Sequence, residues 1–352
     1  MNNRRKFFKS LGLLSATALV GGLHSKNSLA KTKIKWKMVT SWPKNFPGLG
    51  AGAETLARYI NNLSGGSLEV RVFGANELVP PLGVFDFVSS GGAEMGHSGA
   101  YYWKGKTEAA QFFSSVPFGM TAQEMNSWLY YGDGIKLWEE VYENFNLIPR
   151  PAGNTGVQMG GWFNKEINTT NDLKGLKMRI PGLGGEVLAR AGGTPFTLAG
   201  AEIFTSLQTG VIDATEWVGP YNDRAFGLHK AAKYYYYPGW HEPGPSLECI
   251  INKDAYNSLS DQHKSIIDLA CKAANVDMIS DYMAKNYLAL EFFKKEKVQI
   301  KQFPAEVLSK LNKISDEILL ELSQKNNLSK KVYDSYVNFL NRVRPWTLIS
   351  ED

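Results

Sequence analysis

The sequence contains little of what enzyme active sites are usually built from. Its 352 residues include only two cysteines, and there is no Cys-x-x-Cys pair, no Walker loop and no Gly-x-Ser-x-Gly motif. Four histidines follow residue 30, namely His97, His229, His241 and His263. No two of these are separated along the chain by the short spacing of a metal-ligand pair. Nothing in the sequence therefore requires covalent or redox catalysis.

The two cysteines could pair in an oxidising compartment, but each fits a buried element of its own. Cys249 lies in the strand-like segment LECII, and Cys271 lies on a predicted helical face. We expect two separately buried thiols.

Long apolar runs are also absent after residue 30, so we expect a soluble mature chain. The apolar run at residues 11–23 is too short to span a bilayer, which takes about 20 residues. It follows a basic start and ends at Ser28-Leu29-Ala30, which is typical of a signal peptide. The Arg4-Arg5 pair favours twin-arginine export, and an ordinary secretory signal is the alternative. We expect export and cleavage after about Ala30.

An excess of charge of one sign is absent from the mature chain. The full sequence has 39 basic and 34 acidic residues, and residues 1–30 hold five of the basic ones and none of the acidic ones. The mature chain therefore has 34 of each. This equal number of basic and acidic residues gives no reason to expect nucleic acid or an anionic membrane as a partner.

The chain is long enough for two lobes, because about 320 mature residues exceed the size at which one core stops growing. Strand-like and helical segments alternate from residue 33, and the rhythm restarts near residue 147, which predicts an α/β fold with mostly parallel sheets. From Ser260 a helix of about nine turns is predicted, with two amphipathic helices after it. Its apolar stripe comprises Ile266, Leu269, Ala273, Val276, Ile279, Met283, Tyr287 and Leu290.

Several polar residues in the second half stand beside turn residues. Arg179 ends a strand just before Pro181-Gly182, where it could grip a carboxylate bidentately or form a surface salt bridge. Gln158, Glu216 and Glu242 supply only oxygen ligands, which a hard cation such as Na⁺ or Ca²⁺ prefers. Spacing alone does not show that these three residues meet.

The blocks SWP, GGAEMGHSGAYYW, GVQMGGWFNKEI, DLKGLKMRIPGLGGEVL, GGTPFTLAGAEIFTSLQTGVIDATEWVGPYND and YYYYPGWHEPG carry a family resemblance. Over nearly all of the mature chain, the sequence resembles the solute-binding proteins of tripartite ATP-independent periplasmic (TRAP) transporters. It is most similar to the subgroup that binds 2-oxo acids and related monocarboxylates together with a cation.

The resemblance implies a role for particular residues. Arg179 would clamp the ligand carboxylate, and Tyr101, or alternatively Tyr102, would reach the ligand from the first lobe. A cation, Na⁺ or Ca²⁺, would be held by the side chains of Gln158, Glu216 and Glu242 and by the main-chain carbonyl of Trp217. The Trp217 side chain would also line the ligand pocket. Two further positions match ligand-binding positions less closely: His97 and Asn222.

The resemblance also implies a two-lobed periplasmic binding-protein fold with the ligand in the cleft and rotation about strands near residues 153 and 245. We expect lobe 1 to comprise residues 31–152 and about 245–285, and lobe 2 to comprise residues 153–244 and about 286–325. Residues 326–352 would form a C-terminal helix. In some members the helix after the long one is exchanged between protomers, so a homodimer is implied, with membrane permease subunits as further partners.

Three hypotheses compete. The favoured one is a periplasmic binding protein, without enzyme activity, that delivers a small 2-oxo or 2-hydroxy monocarboxylate to a membrane permease. The second is an exported enzyme of carboxylic acid metabolism, which the twin-arginine signal motivates. The third is a ligand-sensing partner of a membrane receptor, which would use the same pocket.

Overall fold

The computed structural model describes residues 33–351 and comprises two β-sheets flanked by helices. The predicted signal peptide lies outside the described residues. The elements in chain order are β1 (Ile34–Thr40), α1 (Leu49–Leu63), β2 (Leu68–Phe73), α2 (Val84–Ser89), β3 (Met95–Ser98), α3 (Ala122–Tyr131), α4 (Gly134–Tyr142), β4 (Leu147–Asn154), β5 (Gly161–Phe163), β6 (Lys177–Arg179), α5 (Gly182–Arg190), β7 (Thr194–Phe196), α6 (Gly200–Gln208), β8 (Ala214–Thr215), α7 (Pro220–Phe226), β9 (Tyr234–Tyr237), β10 (Ser246–Asn252), α8 (Lys253–Asn257), α9 (Asp261–Lys295), β11 (Gln299–Gln302), α10 (Ala305–Ser323) and α11 (Asn327–Ser350).

The first sheet has the strand order β2-β1-β3-β10-β4. β1 is parallel to β2 and β3, as the alternating rhythm predicts. β10 is antiparallel to both β3 and β4, and every one of its residues is buried. This strand enters the sheet from a distant part of the chain, so local alternation could not reveal its direction.

The second sheet has the order β11-β9-β5-β8-β6-β7 and is also mixed. β6 is parallel to β7 and β8, whereas β5 is antiparallel to β8 and β9. Within the segment GVQMGGWF, only Gly161–Phe163 forms a strand. The backbone of Gln158 instead donates to the Glu242 carbonyl at 3.2 Å, and that of Met159 donates to the Val218 carbonyl at 2.9 Å. Loops next to the sheet therefore meet at this point.

The chain passes from the first sheet to the second after β4 and returns before β10. Asn154 and Ser246 are paired across β4 and β10 at this junction. The Asn154 side chain donates to the Gly244 carbonyl at 3.1 Å, and the backbone of Thr155 donates to the Pro245 carbonyl at 3.4 Å. The two crossing segments are thus held side by side between the two lobes of the fold.

Helix α9 runs for 35 residues, which corresponds to about 52 Å. The long helix is confirmed, and much of its apolar stripe faces away from the core. Leu269, Val276, Met283 and Tyr287 are each more than half exposed, whereas the buried face includes Ala270, Cys271, Ala274, Met278 and Tyr282. Small residues allow α9 to lie close to α1 and β4, so a search for large apolar side chains selects the opposite face.

No helix among residues 33–351 combines the length and the apolar character needed to cross a membrane.

Cys249 and Cys271 are free and buried, but they are not separate. Both belong to one apolar cluster between the first sheet and α9. Burial, followed by the neighbouring Cys271 thiol, raises the pKa of the Cys249 thiol well above its ordinary value. The expectation of two unpaired thiols holds, whereas the expectation that they lie apart does not.

Helix α11 folds back onto the same chain. It packs against α3, α4 and the short helical turn Glu108–Phe113. The Tyr336 hydroxyl accepts a hydrogen bond from the Met120 backbone at 2.8 Å, and Arg344 Nε donates to Glu124 Oε1 at 2.8 Å. The C-terminal helix therefore covers the apolar surface of the first lobe.

The interior of the first lobe contains a carboxyl group, Glu248 on β10, which is fully buried. Trp103 Nε1 donates to one of its oxygens, and the Tyr142 hydroxyl donates to the other at 2.8 Å. Burial raises the pKa of Glu248 to about 7, although both hydrogen bonds lower it. The folded protein therefore retains a proton that the unfolded chain releases near pH 4.5.

We expect the unfolding free energy to fall as the pH rises from about 4.5 to about 7, because only the folded state holds this proton there. Glu248→Gln keeps an acceptor for Trp103 and has no charge, so this variant should lose that slope. It should gain about 3 kcal/mol relative to wild type between pH 5 and pH 8. Urea unfolding at a series of pH values measures this difference. The matched change at exposed Glu143, Glu143→Gln, should leave the slope in place, and an unchanged slope in Glu248→Gln would contradict the assignment.

Candidate functional site

Two adjacent parallel strands of the second sheet place an arginine and a glutamate together. Arg179 ends β6, and Glu216 follows β8 directly. Arg179 pairs with Thr215 in the parallel register, and the Glu216 backbone donates to the Arg179 carbonyl at 3.1 Å. Both side chains therefore stand at the carboxyl edge of the sheet, where open α/β sheets bind ligands.

Arg179 and Glu216 form a buried ion pair, with each side chain 1% exposed. The guanidinium also donates to the Leu198 carbonyl at 3.2 Å and to the Tyr102 hydroxyl at 3.1 Å, and it lies 5.1 Å above the Trp217 ring. Burial alone would lower the pKa of Arg179, but the charges around it, Glu216 first among them, outweigh burial and raise it. Arg179 is therefore a fixed cation.

The loop between β9 and β10 brings a second carboxylate to the same place. Glu242 is buried, and its backbone carbonyl accepts from the Gln158 backbone. Burial and then the Glu216 charge raise the pKa of Glu242 well above its ordinary value, and Arg179 offsets this only in part. Two acidic groups thus share one buried region with a single arginine.

His241 stands beside this pair and is 2% exposed. Its Nε2 lies 3.4 Å from Glu216 Oε2, while the other Glu216 oxygen faces Arg179. Donor atoms of Glu216, His241 and Glu242 all lie within 4.8 Å of one another. The criterion of pair spacing along the chain missed His241, because the cluster forms only when β8 and the β9–β10 loop fold together.

Buried polar atoms without a partner concentrate at this cluster. Among residues 33–351, they include Gln158 Oε1, Trp217 Nε1, Glu242 Oε2 and both ring nitrogens of His241. Such atoms are rare in folded proteins, since burial without a hydrogen bond is costly. The donor set of oxygens and one imidazole fits a cation, and Arg179 fits an anion beside it. Of the predicted cation ligands, Gln158, Glu216 and Glu242 lie at this cluster, and Trp217 follows Glu216 directly.

The first lobe contributes two tyrosines in edge-to-face contact from the turn Ala100–Trp103, with ring centres 4.6 Å apart. Tyr102 accepts from Arg179 through its hydroxyl. Tyr101 is buried, and burial and then the Glu242 charge raise its pKa well above the ordinary value. Both predicted tyrosines therefore lie beside the cluster, and Tyr102 contacts Arg179 directly.

His97 and Asn222 are placed differently, because protein groups already occupy their polar atoms. His97 Nδ1 accepts from Trp42 Nε1 at 2.8 Å, and its Nε2 faces the Ala152 carbonyl at 3.4 Å. Asn222 donates to the Pro47 carbonyl at 2.9 Å and accepts from the Tyr282 hydroxyl at 2.6 Å. The polar atoms of both residues thus make hydrogen bonds within the protein in this structure.

Asp223 is a supporting residue that the sequence did not single out. Its carboxyl accepts from Trp162 Nε1 at 2.9 Å, from the Tyr235 hydroxyl at 2.7 Å and from the Val218 backbone at 3.3 Å. Burial raises the pKa of Asp223 to about 7. These bonds fix the start of α7, just after Glu216 and Trp217, to the strands behind it. An acid one turn after Gly219-Pro220 is the signal that could have indicated it.

Arg179→Met should lower the unfolding free energy by about 3 to 5 kcal/mol, because Glu216 then stays buried without its partner. The double variant Arg179→Met/Glu216→Gln should recover part of that loss. Urea unfolding of the single and double variants at pH 7.5 measures the coupling. The exposed bidentate pair Arg190–Glu321 is the matched control and should show a much smaller coupling. If the losses at Arg179 and Glu216 simply add, the two residues are not coupled.

Several known proteins are similar to this chain in sequence and in fold. Residues 38–326 match the family described as bacterial extracellular solute-binding protein, family 7. A monocarboxylate 2-oxoacid-binding periplasmic protein of Nostoc sp. is 42% identical over 352 residues, covering 99% of this chain and 96% of that protein.

Three solved structures of TRAP solute-binding proteins are similar over 91% of this chain. One from Colwellia psychrerythraea has bound calcium and pyruvate, with a TM-score of 0.88, 44% identity and 98% of that chain covered. One from Pseudoalteromonas atlantica has bound sodium and pyruvate, with a TM-score of 0.88, 44% identity and 97% covered.

The third, from Bordetella bronchiseptica, has a TM-score of 0.89 and 37% identity, with 95% of that chain covered. It is a mixed-occupancy dimer with copurified calcium and picolinate in one site. The matched family and the identity over the whole chain lead to one conclusion: this chain belongs to family 7 of the bacterial extracellular solute-binding proteins, the solute-binding proteins of TRAP transporters.

Proposed function

We propose that this protein captures a small 2-oxo or 2-hydroxy monocarboxylate together with Na⁺ or Ca²⁺ and delivers it to the permease of a TRAP transporter. The observation that carries the proposal is the buried cluster in which Arg179 faces two carboxylates and several partnerless donor atoms. Such a cluster has one group for an anion and several for a cation, so it suits a ligand that brings both.

In this proposal Arg179 binds the ligand carboxylate, and Tyr102 orients the guanidinium through its hydroxyl. Tyr101 closes the site from the same turn. Gln158, Glu216, Glu242 and the main-chain carbonyl of Trp217 hold the cation. Without a cation, a ligand carboxylate in this buried region would be repelled by Glu216 and Glu242. The cation offsets this repulsion, which Arg179 cannot offset alone.

The bound molecules of the three similar structures support this ligand class. Pyruvate and picolinate both carry a carboxylate next to a second donor atom, a keto oxygen or a ring nitrogen. A cation can be chelated by both donors of such a molecule, whereas a simple fatty acid offers only its carboxylate. We infer that the second donor is part of what this protein selects.

Contacts between the lobes surround the cluster and support a cleft that closes on its ligand. Arg179 meets Tyr102, Lys104 lies 3.2 Å from Glu186, and Asn222 reaches the Pro47 carbonyl. The indole of Trp217 packs edge-on to Trp42 at 6.4 Å. We propose that the lobes rotate about the crossing segments near residues 153 and 245, between the predicted lobe boundaries.

We also propose that residues 1–30 direct export to the periplasm and are removed after about Ala30. The family is periplasmic and the Nostoc relative is named so. The family resemblance implies a homodimer, and the Bordetella structure is a dimer. We propose that the interface of such a dimer includes the exposed apolar side of α9.

If α9 forms the dimer interface, Met283→Asp should dissociate the dimer, because Met283 is 76% exposed and lies at the centre of the exposed apolar side. Light scattering coupled to size-exclusion chromatography measures the mass. Asp277→Asn, six residues earlier on the same helix, should leave the mass unchanged. A dimer that persists in Met283→Asp would place the interface elsewhere.

Ligand binding should require both the cation and Arg179. With pyruvate at 100 times its dissociation constant and Ca²⁺ present, the unfolding free energy should rise by about 2.7 kcal/mol. Arg179→Met should weaken pyruvate binding by at least about 100-fold, because two charge-assisted hydrogen bonds are lost. Isothermal titration measures both proteins, with Arg190→Met as the control. Affinity in Arg179→Met within a few-fold of wild type would remove Arg179 from the site.

A further inference from the structure

We propose that His241 is a ligand of the cation site, which therefore binds a divalent first-row transition ion such as Co²⁺ or Zn²⁺ more tightly than Na⁺ or Ca²⁺. This inference rests on the proposed function, because it concerns the same site. It goes further by adding a nitrogen donor and by naming a different class of ion.

The distance between His241 and Glu216 fits shared coordination better than a hydrogen bond. Nε2 and Oε2 are 3.4 Å apart, whereas N–H···O hydrogen bonds are usually about 2.9 Å long. Metal–ligand bonds of about 2.1 Å in a tetrahedral site hold neighbouring donors about 3.4 Å apart. Both atoms therefore lie where one small ion could be bound by each.

The burial of His241 strengthens this assignment. The side chain is 2% exposed, and neither ring nitrogen has a hydrogen-bond partner among residues 33–351. His97 provides the contrast, because both of its ring nitrogens face protein partners. A buried imidazole in a structural role normally resembles His97. His241 instead directs a free nitrogen toward Glu216 and Glu242, whose donor atoms lie within 4.8 Å of it.

The charge of the site also favours a divalent ion. With the ion bound, Arg179 carries one positive charge, while Glu216, Glu242 and a bound monocarboxylate carry one negative charge each. A divalent ion brings this buried group to neutrality, whereas Na⁺ leaves one negative charge uncompensated in a region shielded from water.

The chemistry of the donors then separates the divalent ions. Ca²⁺ prefers oxygen ligands and gains little from an imidazole. Co²⁺ and Zn²⁺ bind imidazole well. Sites with both nitrogen and oxygen ligands generally bind these two ions more tightly than Mn²⁺ or Fe²⁺, which come earlier in the first transition row. His241 would therefore shift selectivity toward these ions while the oxygen donors still accept Ca²⁺.

The test uses mature protein freed of metal by chelation, His241→Gln and the control His263→Gln. Gln places an amide near the position of Nε2, so it keeps a polar group beside Glu216 but is a poor ligand. Competition titrations with pyruvate present should show Co²⁺ and Zn²⁺ binding wild type at least about tenfold more tightly than Ca²⁺. His241→Gln should lose about 10- to 100-fold in Co²⁺ and Zn²⁺ affinity and keep its Ca²⁺ affinity within about threefold. His263→Gln should match wild type.

A spectroscopic measurement on wild type makes the test independent of variant folding. Pulsed electron paramagnetic resonance of bound Cu²⁺ should show the nitrogen modulation of a coordinated imidazole, and this signal should vanish in His241→Gln. Absence of the signal in wild type, or equal losses of Ca²⁺ and Zn²⁺ affinity in His241→Gln, would overturn the proposal and leave His241 as a buried imidazole that packs beside Glu216. Failure of the proposed function is distinguishable, because pyruvate would then not bind even with Ca²⁺.

Discussion

The burial of an arginine against an excess of carboxylates is the constraint on which the rest of this structure depends. Arg179 pairs with Glu216, and Glu242 lies beside them with its pKa raised by burial and by that neighbouring charge. A buried ion pair costs desolvation energy, and a second buried acid increases that cost. The surrounding protein does not complete the hydrogen bonding, because oxygens and nitrogens at the cluster lack partners among the described residues. The site therefore has unpartnered polar atoms and more acidic groups than Arg179 can neutralise. In the proposed function, a bound carboxylate and a cation together complete these interactions.

The fold supplies this arrangement from separate parts of the chain. Parallel β6 and β8 fix Arg179 and Glu216, while the loop before β10 adds His241 and Glu242. The tyrosines come from the other lobe, so the full set of contacts exists only when the lobes meet. β4 and β10 run side by side through the junction, where the proposed rotation of the lobes would take place.

The sequence predicted the features that depend on neighbouring residues and missed those that depend on distant ones. The strand before Pro181 and the long helix after Ser260 follow from local patterns, and the positions of Gln158, Glu216 and Glu242 followed from family resemblance. The direction of β10 and the presence of His241 beside Glu216 arise only from tertiary contacts. The buried face of α9 was missed because Ala270 and Ala274 allow close packing that large apolar residues would prevent. His97 and Asn222 match positions in the family blocks, yet their polar atoms brace the protein.

The central claim is that the anion and the cation bind as one unit, and reciprocal titration tests it most directly. Pyruvate is titrated at increasing fixed Ca²⁺ concentrations, and Ca²⁺ is titrated at increasing fixed pyruvate concentrations. Shared binding at Arg179 and Glu216 predicts that Ca²⁺ increases pyruvate affinity by at least about tenfold, and that pyruvate increases Ca²⁺ affinity by the same factor, since linkage is reciprocal. Affinities for pyruvate and Ca²⁺ that do not depend on one another would contradict the claim.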